Sequence, residues 1–302
     1  MKKACTITAI LTLFGGYILP KKEKDIWVGS IIKLLKPLGF SPNAIRLSLS
    51  RMKKHKALES FKIGKESYYR ITDFGMKWVK YGEERAFHFE EGHKWDRNWR
   101  LVIYNIPEKM RKQRDAFRSK LNSAGFASIG SSSYIYPHDF NEQVKKLAEY
   151  LKIQDYVEIF NAKYYEKDLT GFVERYWNIK KIEKMFKTFL NEYKKKFNEF
   201  KKNRQKNPAK CFAVKFKLMT EFIDLCFEDP KLPLELLPKN WIGKETQKFV
   251  DDFYEYLDPI SQKYFNDVFK SAGMTEELKR KSSKKKKGNG AKNVEKKEKR
   301  KR

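Results

Sequence analysis

Cysteine is scarce in this chain of 302 residues. There are three, Cys5, Cys211 and Cys226, widely spaced and without a CxxC pair. That excludes a disulfide-framed scaffold and a thiolate zinc site, and it fits a reducing, cytoplasmic setting. Histidine is equally sparse. His55, His88, His93 and His138 form no ligand-spaced cluster, so neither a metal nor any other cofactor is expected. Long hydrophobic runs are also missing. Lys2-Lys3 followed by Ala4–Leu19 imitates the basic and apolar regions of a signal peptide, but Thr6, Thr8 and Thr12 dilute it and no clean small-x-small site follows. It is too short to span a membrane, and is read instead as a first helix, Thr6 to Phe14.

Positive charge is what the chain has in excess. The net charge is +29, and its placement says more than its sum. Residues 1–80 hold 17 Lys and Arg against 5 Asp and Glu, and residues 275–302 hold 14 against 4. The 194 residues between carry only +7. A polyanionic partner is implied, because phosphates neutralised by lysine and arginine release their counterions and drive binding.

The N-terminal excess surrounds the segment Ser30–Ile71. Its sequence predicts a short amphipathic helix, a tight turn at Gly39-Phe40, a basic helix and a two-stranded ribbon. Ser41 is an N-cap and Pro42 suits a first helical turn. Ile45, Leu49 and Met52 fall at i, i+4 and i+7, one apolar face. At ~100° per residue Asn43, Arg46, Leu47, Ser50 and Lys54 point the other way, with Arg51 at the flank. Amide, hydroxyl, guanidinium and ammonium groups are those that bind base edges and phosphates. The ribbon pairs Leu58–Lys62 with Glu66–Ile71 around Ile63-Gly64-Lys65, and offers Lys62, Lys65 and Arg70 to phosphates. Helix, turn, helix and hairpin in this order outline a winged helix-turn-helix, which lays its second helix in the DNA major groove. A solvated basic surface helix would not account for the flanking helix, turn and hairpin together. Asn43, Arg46 and Ser50 are the candidates for base edges, and Arg51, Lys54, Lys62 and Lys65 for phosphates.

Past a short helix from Thr72 to about Glu84, the pattern changes. Arg100–Tyr104 reads as a strand, Arg111–Ala124 as a helix with Phe117, Leu121 and Ala124 inward, and Phe126–Tyr136 as two strands. Phe140–Lys152 reads as a helix on Val144, Leu147 and Leu151, and Tyr156–Phe160 as a strand. This β-α-β-β-α-β order is the ferredoxin-like arrangement. Aromatic stripes over 178–202, 210–227 and 243–270 predict packed helices, with a proline-punctuated turn at 229–241. From about Glu276 almost no apolar residue remains, the composition of a disordered tail. The expected division is 1–84, 95–170, 171–274 and 275–302: an α+β multidomain protein with a basic end.

Three landmarks carry a resemblance. Leu13-Phe14-Gly15-Gly16-Tyr17 leads to Ser41–Arg51 and Gly64–Tyr69. Trp95-Asp96-x-x-Trp99 opens the middle region, followed by Gly125-Phe126. The most specific is Asp229-Pro230, Leu232-Pro233, Leu236-Leu237-Pro238, Trp241 and Gly243. Over about residues 5–270 the chain resembles the PaaX family, bacterial transcriptional repressors named for the phenylacetic acid degradation operon. The resemblance implies a winged helix, a ferredoxin-like middle domain, a helical C-terminal domain, binding to a double-stranded operator as a homodimer, repression, and in some members release by an aryl-CoA thioester.

The chain departs from that pattern at three informative places. Arg97 stands where the family's WDGxW has glycine. Thr220 and Ile223 stand where a histidine and an arginine are usual, so DNA binding is carried over and the acyl-CoA effector is not. The middle region is similar to the small CRISPR-associated adaptation endonuclease, whose first strand ends in a metal-binding aspartate. Here that position is Asn105, a poor anchor for a hard cation. The expectation is therefore a non-enzymatic regulator with no membrane association. A metal-dependent nuclease of the middle domain and a general nucleic-acid-binding protein are the alternatives.

Overall fold

The computed structural model describes residues 6–87 (84–87 by backbone alone), 95–202 and 206–273. Cys5, His88, His93 and the Lys-rich segment 275–302 lie outside the described residues. The architecture is mixed α/β and multidomain: N-terminal helices with a small sheet, a central β-α domain and a helical C-terminal region. The chain forms two compact units. Residues 6–82, 206–220 and 255–273 belong to the first, and 83–87, 95–202 and 221–254 to the second.

In the first unit, α1 (Thr6–Leu13) runs into a wider π-helical turn, Phe14–Ile18, and a 3-10 turn, Leu19–Lys21. Strand β1 (Asp25–Trp27) then leads to α2 (Val28–Leu35), which buries Ile31, Leu34 and Leu35. A 3-10 turn through Pro37 ends at Gly39, whose φ of 82° lets the chain reverse without a Cβ clash. It enters α3 (Pro42–Lys54), followed by β2 (Leu58–Ile63), β3 (Glu66–Ile71) and α4 (Asp73–Phe87), the last three residues longer than expected. Among the described residues the sheet has the order β1-β3-β2, all antiparallel. Strand β1 adds to the expected ribbon. Three residues are too few to show an alternating pattern, and only pairing with Tyr68, Tyr69 and Arg70 defines it.

The core of this unit gathers Ile10, Leu13, Phe14, Leu34, Ile45 and Leu49 from the N-terminal helices. It also takes Phe212, Phe216, Phe265 and Phe269 from far along the chain. These come from the first part of α9 (Pro208–Glu228) and the end of α10 (Ile242–Val268) and beyond. The Tyr17 ring lies 5.1 Å from Phe212 and 5.0 Å from Phe265. Lys215 is wholly buried beside it, 4.7 Å from the Tyr17 ring and ion-paired with Asp258. Burial pushes the Lys215 ammonium pKa down, against the pull of Asp258.

The second unit carries the β-α-β-β-α-β succession expected from the sequence: β4 (Trp99–Tyr104), α5 (Arg111–Ala124), β5 (Ala127–Gly130), β6 (Ser133–Tyr136), α6 (Asn141–Tyr150) and β7 (Val157–Ala162). The strand order is β5-β6-β4-β7, antiparallel throughout. Phe117 and Leu121 of α5 are buried as expected, and the Phe117 ring meets Tyr104 edge-on at 5.8 Å. In α6 the buried line is Val144 and Ala148, with Leu147 and Leu151 half-buried. A short α7 (Leu169–Trp177), capped by Asp168, precedes α8 (Ile179–Lys202). The remaining parts of α9 and α10 pack on α8 through Phe189–Phe222 and Phe197–Phe253 ring contacts. Among the described residues, no helix is long and apolar enough to cross a membrane.

Candidate nucleic-acid interface

Helix α3 is held by one face so that the other is presented. Ser41 caps it, its Oγ accepting the Ala44 N–H at 3.2 Å, and Pro42 opens the first turn. Ile45, Leu49 and Met52 are essentially inaccessible to solvent. Ser48 is buried with them, a position the apolar pattern did not include. Asn43, Arg46, Ser50 and Lys54 are exposed on the face opposite that core, and Arg51 is exposed at its flank. Three basic side chains, Arg51, Lys53 and Lys54, occupy the last turn, where they also complement the helix dipole.

The hairpin is joined to this helix by short, specific links. Ala57 N–H donates to Met52 O at 2.9 Å, and Lys53 Nζ donates to Ser60 Oγ at 2.8 Å. Thr72 Oγ1 donates toward Lys56 O and Ala57 O and accepts from Gly75 N. A Cβ at Gly75 would lie 2.1 Å from Ala57 O, so only glycine allows α4 this close. The pairing of Ile63 with Glu66 leaves Gly64-Lys65 as a two-residue turn. Gly64 has φ 63° and Lys65 is not left-handed, as in a type II′ hairpin. Lys62 and Lys65 are exposed at this tip.

Arg70, the third cation expected to reach phosphates, is otherwise engaged. Its guanidinium pairs with Asp25 at 3.0 Å and lies 4.7 Å from the Phe61 ring. It braces the strands of the sheet. Leu47, by contrast, is an apolar side chain 54% exposed on the outward face of α3. Helical spacing alone puts it there, but it carries no hydrogen-bonding group that would mark it as a base contact.

Asn105 follows β4 and is exposed, with its backbone N–H donating to Tyr156 O. Among the described residues no group of His, Cys, Asp and Glu is arranged to hold a metal ion. Thr220 is buried, its hydroxyl donating back to Phe216 O and Lys217 O of its own helix. The next residue, Glu221, accepts from Tyr193 OH at 2.7 Å. Burial and that carboxylate hold the Tyr193 hydroxyl protonated, its pKa pushed well above the usual phenol range.

The second and third landmark motifs lie in the second unit. Tyr136 OH donates to Pro230 O at 2.9 Å, and His138 Nε2 lies 2.6 Å from Lys231 O. Asp229 is buried and accepts the Lys231 N–H at 2.7 Å. Asp96 binds the buried Arg100 guanidinium through both carboxylate oxygens, at 2.9 and 2.7 Å. That hydrogen bonding holds the Asp96 carboxyl well below the usual carboxylate range.

N-terminal helices with a small sheet, a central β-α domain and a helical C-terminal region, with these motifs joined, are the parts of one protein class: the chain is a PaaX-like protein. Three family models match it in order. They are a PaaX-like protein model over residues 6–75, the PaaX protein central Cas2-like domain over 92–171, and the PaaX-like protein C-terminal domain over 177–267. The chain is 25% identical over 266 residues to the transcriptional repressor PaaX of Escherichia coli (strain K12), covering 86% of this chain and 83% of the repressor. Its fold is similar to that of an uncharacterized protein from Mycobacterium tuberculosis. That match has a TM-score of 0.52 and 16% identity, and covers 86% of this chain and 98% of the other.

Proposed function

We propose that this protein is a sequence-specific, DNA-binding transcriptional regulator. It represses by occluding a promoter, as a homodimer on paired half-sites. The first unit is then a winged helix-turn-helix and the central domain a ferredoxin-like platform. The observation that carries this reading is α3 itself. One face is buried on Ile45, Leu49 and Met52, and the opposite face presents Asn43, Arg46 and Ser50 with flanking cations. Helices of this kind enter the major groove, where bidentate arginine and amide groups distinguish base pairs.

In this reading Arg51 and Lys54 hold phosphates beside the groove, and Lys62 and Lys65 hold them at the hairpin tip. Leu47 supplies an apolar contact of the kind that recognises a thymine methyl group. The homology to a repressor supports the assignment. Neither Thr220, satisfied within its own helix, nor Ile223 offers a cation to an anionic effector, so no acyl-CoA response is carried over. Selection of bound duplexes from a random pool tests the proposal. A palindromic consensus with half-sites about one helical turn apart is expected. Recovery of unrelated sequences would sink it.

A further inference from the structure

Helix α8 presents a second cationic surface, remote in sequence from the reading helix. Its inner face buries Ile182, Phe186, Phe189, Leu190, Tyr193 and Phe200. At ~100° per residue, the residues within about 50° of the opposite line are Lys180, Lys184, Thr188, Asn191, Lys195, Asn198 and Lys202. All seven are exposed, and none is acidic. Lys181 and Lys187, also exposed, border the line at about 60°, as does Glu199. The other acidic residues of the helix, Glu183 and Glu192, stand farther off it.

Two cations beside the ridge are already engaged. Lys187 pairs with Glu183 at 2.7 Å and Lys194 with Glu245 at 2.8 Å. The ammonium groups of Lys180, Lys184 and Lys202 have no carboxylate partner among the described residues. At ~1.5 Å per residue the ridge is about 33 Å long, with a cation, amide or hydroxyl at every turn. One turn of duplex DNA has nearly that length, about 34 Å.

We propose that this ridge binds the phosphate backbone of duplex DNA outside the site read by α3. The proposal rests on the DNA-binding reading above. Its chemistry favours this occupant over other polyanions. No large apolar side chain of α8 is exposed, so the ridge has nothing to insert into a bilayer and no aromatic on which single-stranded bases could stack. Ammonium, amide and hydroxyl groups suit phosphate oxygens, and they add affinity without sequence preference.

The test uses the full chain and a duplex of arbitrary sequence alongside the selected operator. The triple variant Lys180→Gln, Lys184→Gln, Lys202→Gln is compared with Lys180→Arg, Lys184→Arg, Lys202→Arg. The slope of log affinity against log salt is expected to fall by about 0.9 for each phosphate that is no longer neutralised, on both duplexes alike. The order of preference among sequences should not change, and the arginine variant should keep the parent slope. A glutamine variant with the parent slope on both duplexes overturns the ridge proposal while leaving α3 as the reader. A pool that yields no consensus, with a slope that still depends on the ridge, removes the regulator reading and keeps the ridge.

Discussion

Tyr136 donates its phenolic hydrogen to the carbonyl of Pro230, 94 positions later, at 2.9 Å. Gly125 sits at the same junction with φ 102°. A Cβ there would lie 2.8 Å from Pro230 O and 3.0 Å from the Tyr136 ring. Trp177 Nε1 donates to Gly125 O at 2.8 Å. Two motifs far apart in the sequence thus form one buried joint within the second unit. Tyr136→Phe should cost about 1–3 kcal/mol, because the Pro230 carbonyl loses a buried donor. Gly125→Ala should cost at least as much, about 2–3 kcal/mol, from backbone strain and overlap. Denaturant midpoints of the full chain measure both.

Arg46 and Lys54 should fail differently. Arg46→Ala is expected to cost about 1–3 kcal/mol at one base pair of the selected operator and to relax preference there. Lys54→Ala should weaken all duplexes alike and lower the salt slope by about 1. Competition binding on single-base operator variants separates the two. Equal losses on every sequence from both substitutions would remove the base-reading assignment of Arg46.

Arg97 occupies a left-handed conformation, φ 62°, where the family's motif has glycine. A side chain with a Cβ pays for that conformation with about 1–2 kcal/mol of steric strain. Part of this is offset by the greater freedom glycine gives the unfolded chain. Arg97→Gly should therefore raise stability modestly, by about 0.5–1 kcal/mol, seen as a higher midpoint in urea.

The Asp96–Arg100 pair predicts a pH signature. The folded state lowers the Asp96 pKa, so the pair's contribution is fully present above the unfolded value, about 3.9, and is lost as pH falls through the lower folded value. Asp96→Asn should cost about 1–3 kcal/mol at neutral pH, less than for a fully buried pair, because the Asp96 side chain is 45% exposed. The gap between parent and variant should be flat near pH 7 and narrow below about pH 4. Unfolding curves across that range measure it.

The N-terminal region should not fold alone. Its core includes Phe212, Phe216, Phe265 and Phe269. Burying four such rings contributes about 6–12 kcal/mol as an upper estimate, comparable to the whole stability of a small domain. Backbone links add to this: Trp27 N–H donates to Lys270 O, and Ala272 N–H to the Asp25 carboxylate. A fragment ending after residue 87 should show no cooperative thermal transition. A sharp transition in that fragment would contradict the shared core.

The legible parts of this protein were those written in local periodicity. Ile45, Leu49 and Met52 gave the buried side of α3, and with it the exposure of Asn43, Arg46 and Ser50. Gly39 and Gly64 marked turns because a positive φ is cheap only for glycine. The β-α-β-β-α-β succession followed from switches between alternation and helical spacing. Arg70 shows where this ended: its charge was plain in the sequence, but its pairing with Asp25, 45 positions earlier, was not.

Local pattern therefore determined the elements, the outward face of α3 and the lysine ridge of α8, since side-chain direction along a helix follows from backbone geometry alone. Tertiary structure decided the rest: strand β1, the engagement of Arg70, the burial of Lys215, the Tyr136–Pro230 joint and the C-terminal phenylalanines in the N-terminal core. These depend on pairings between distant segments. The apolar stripe of a helix shows that it will be covered, but not which distant segment will cover it.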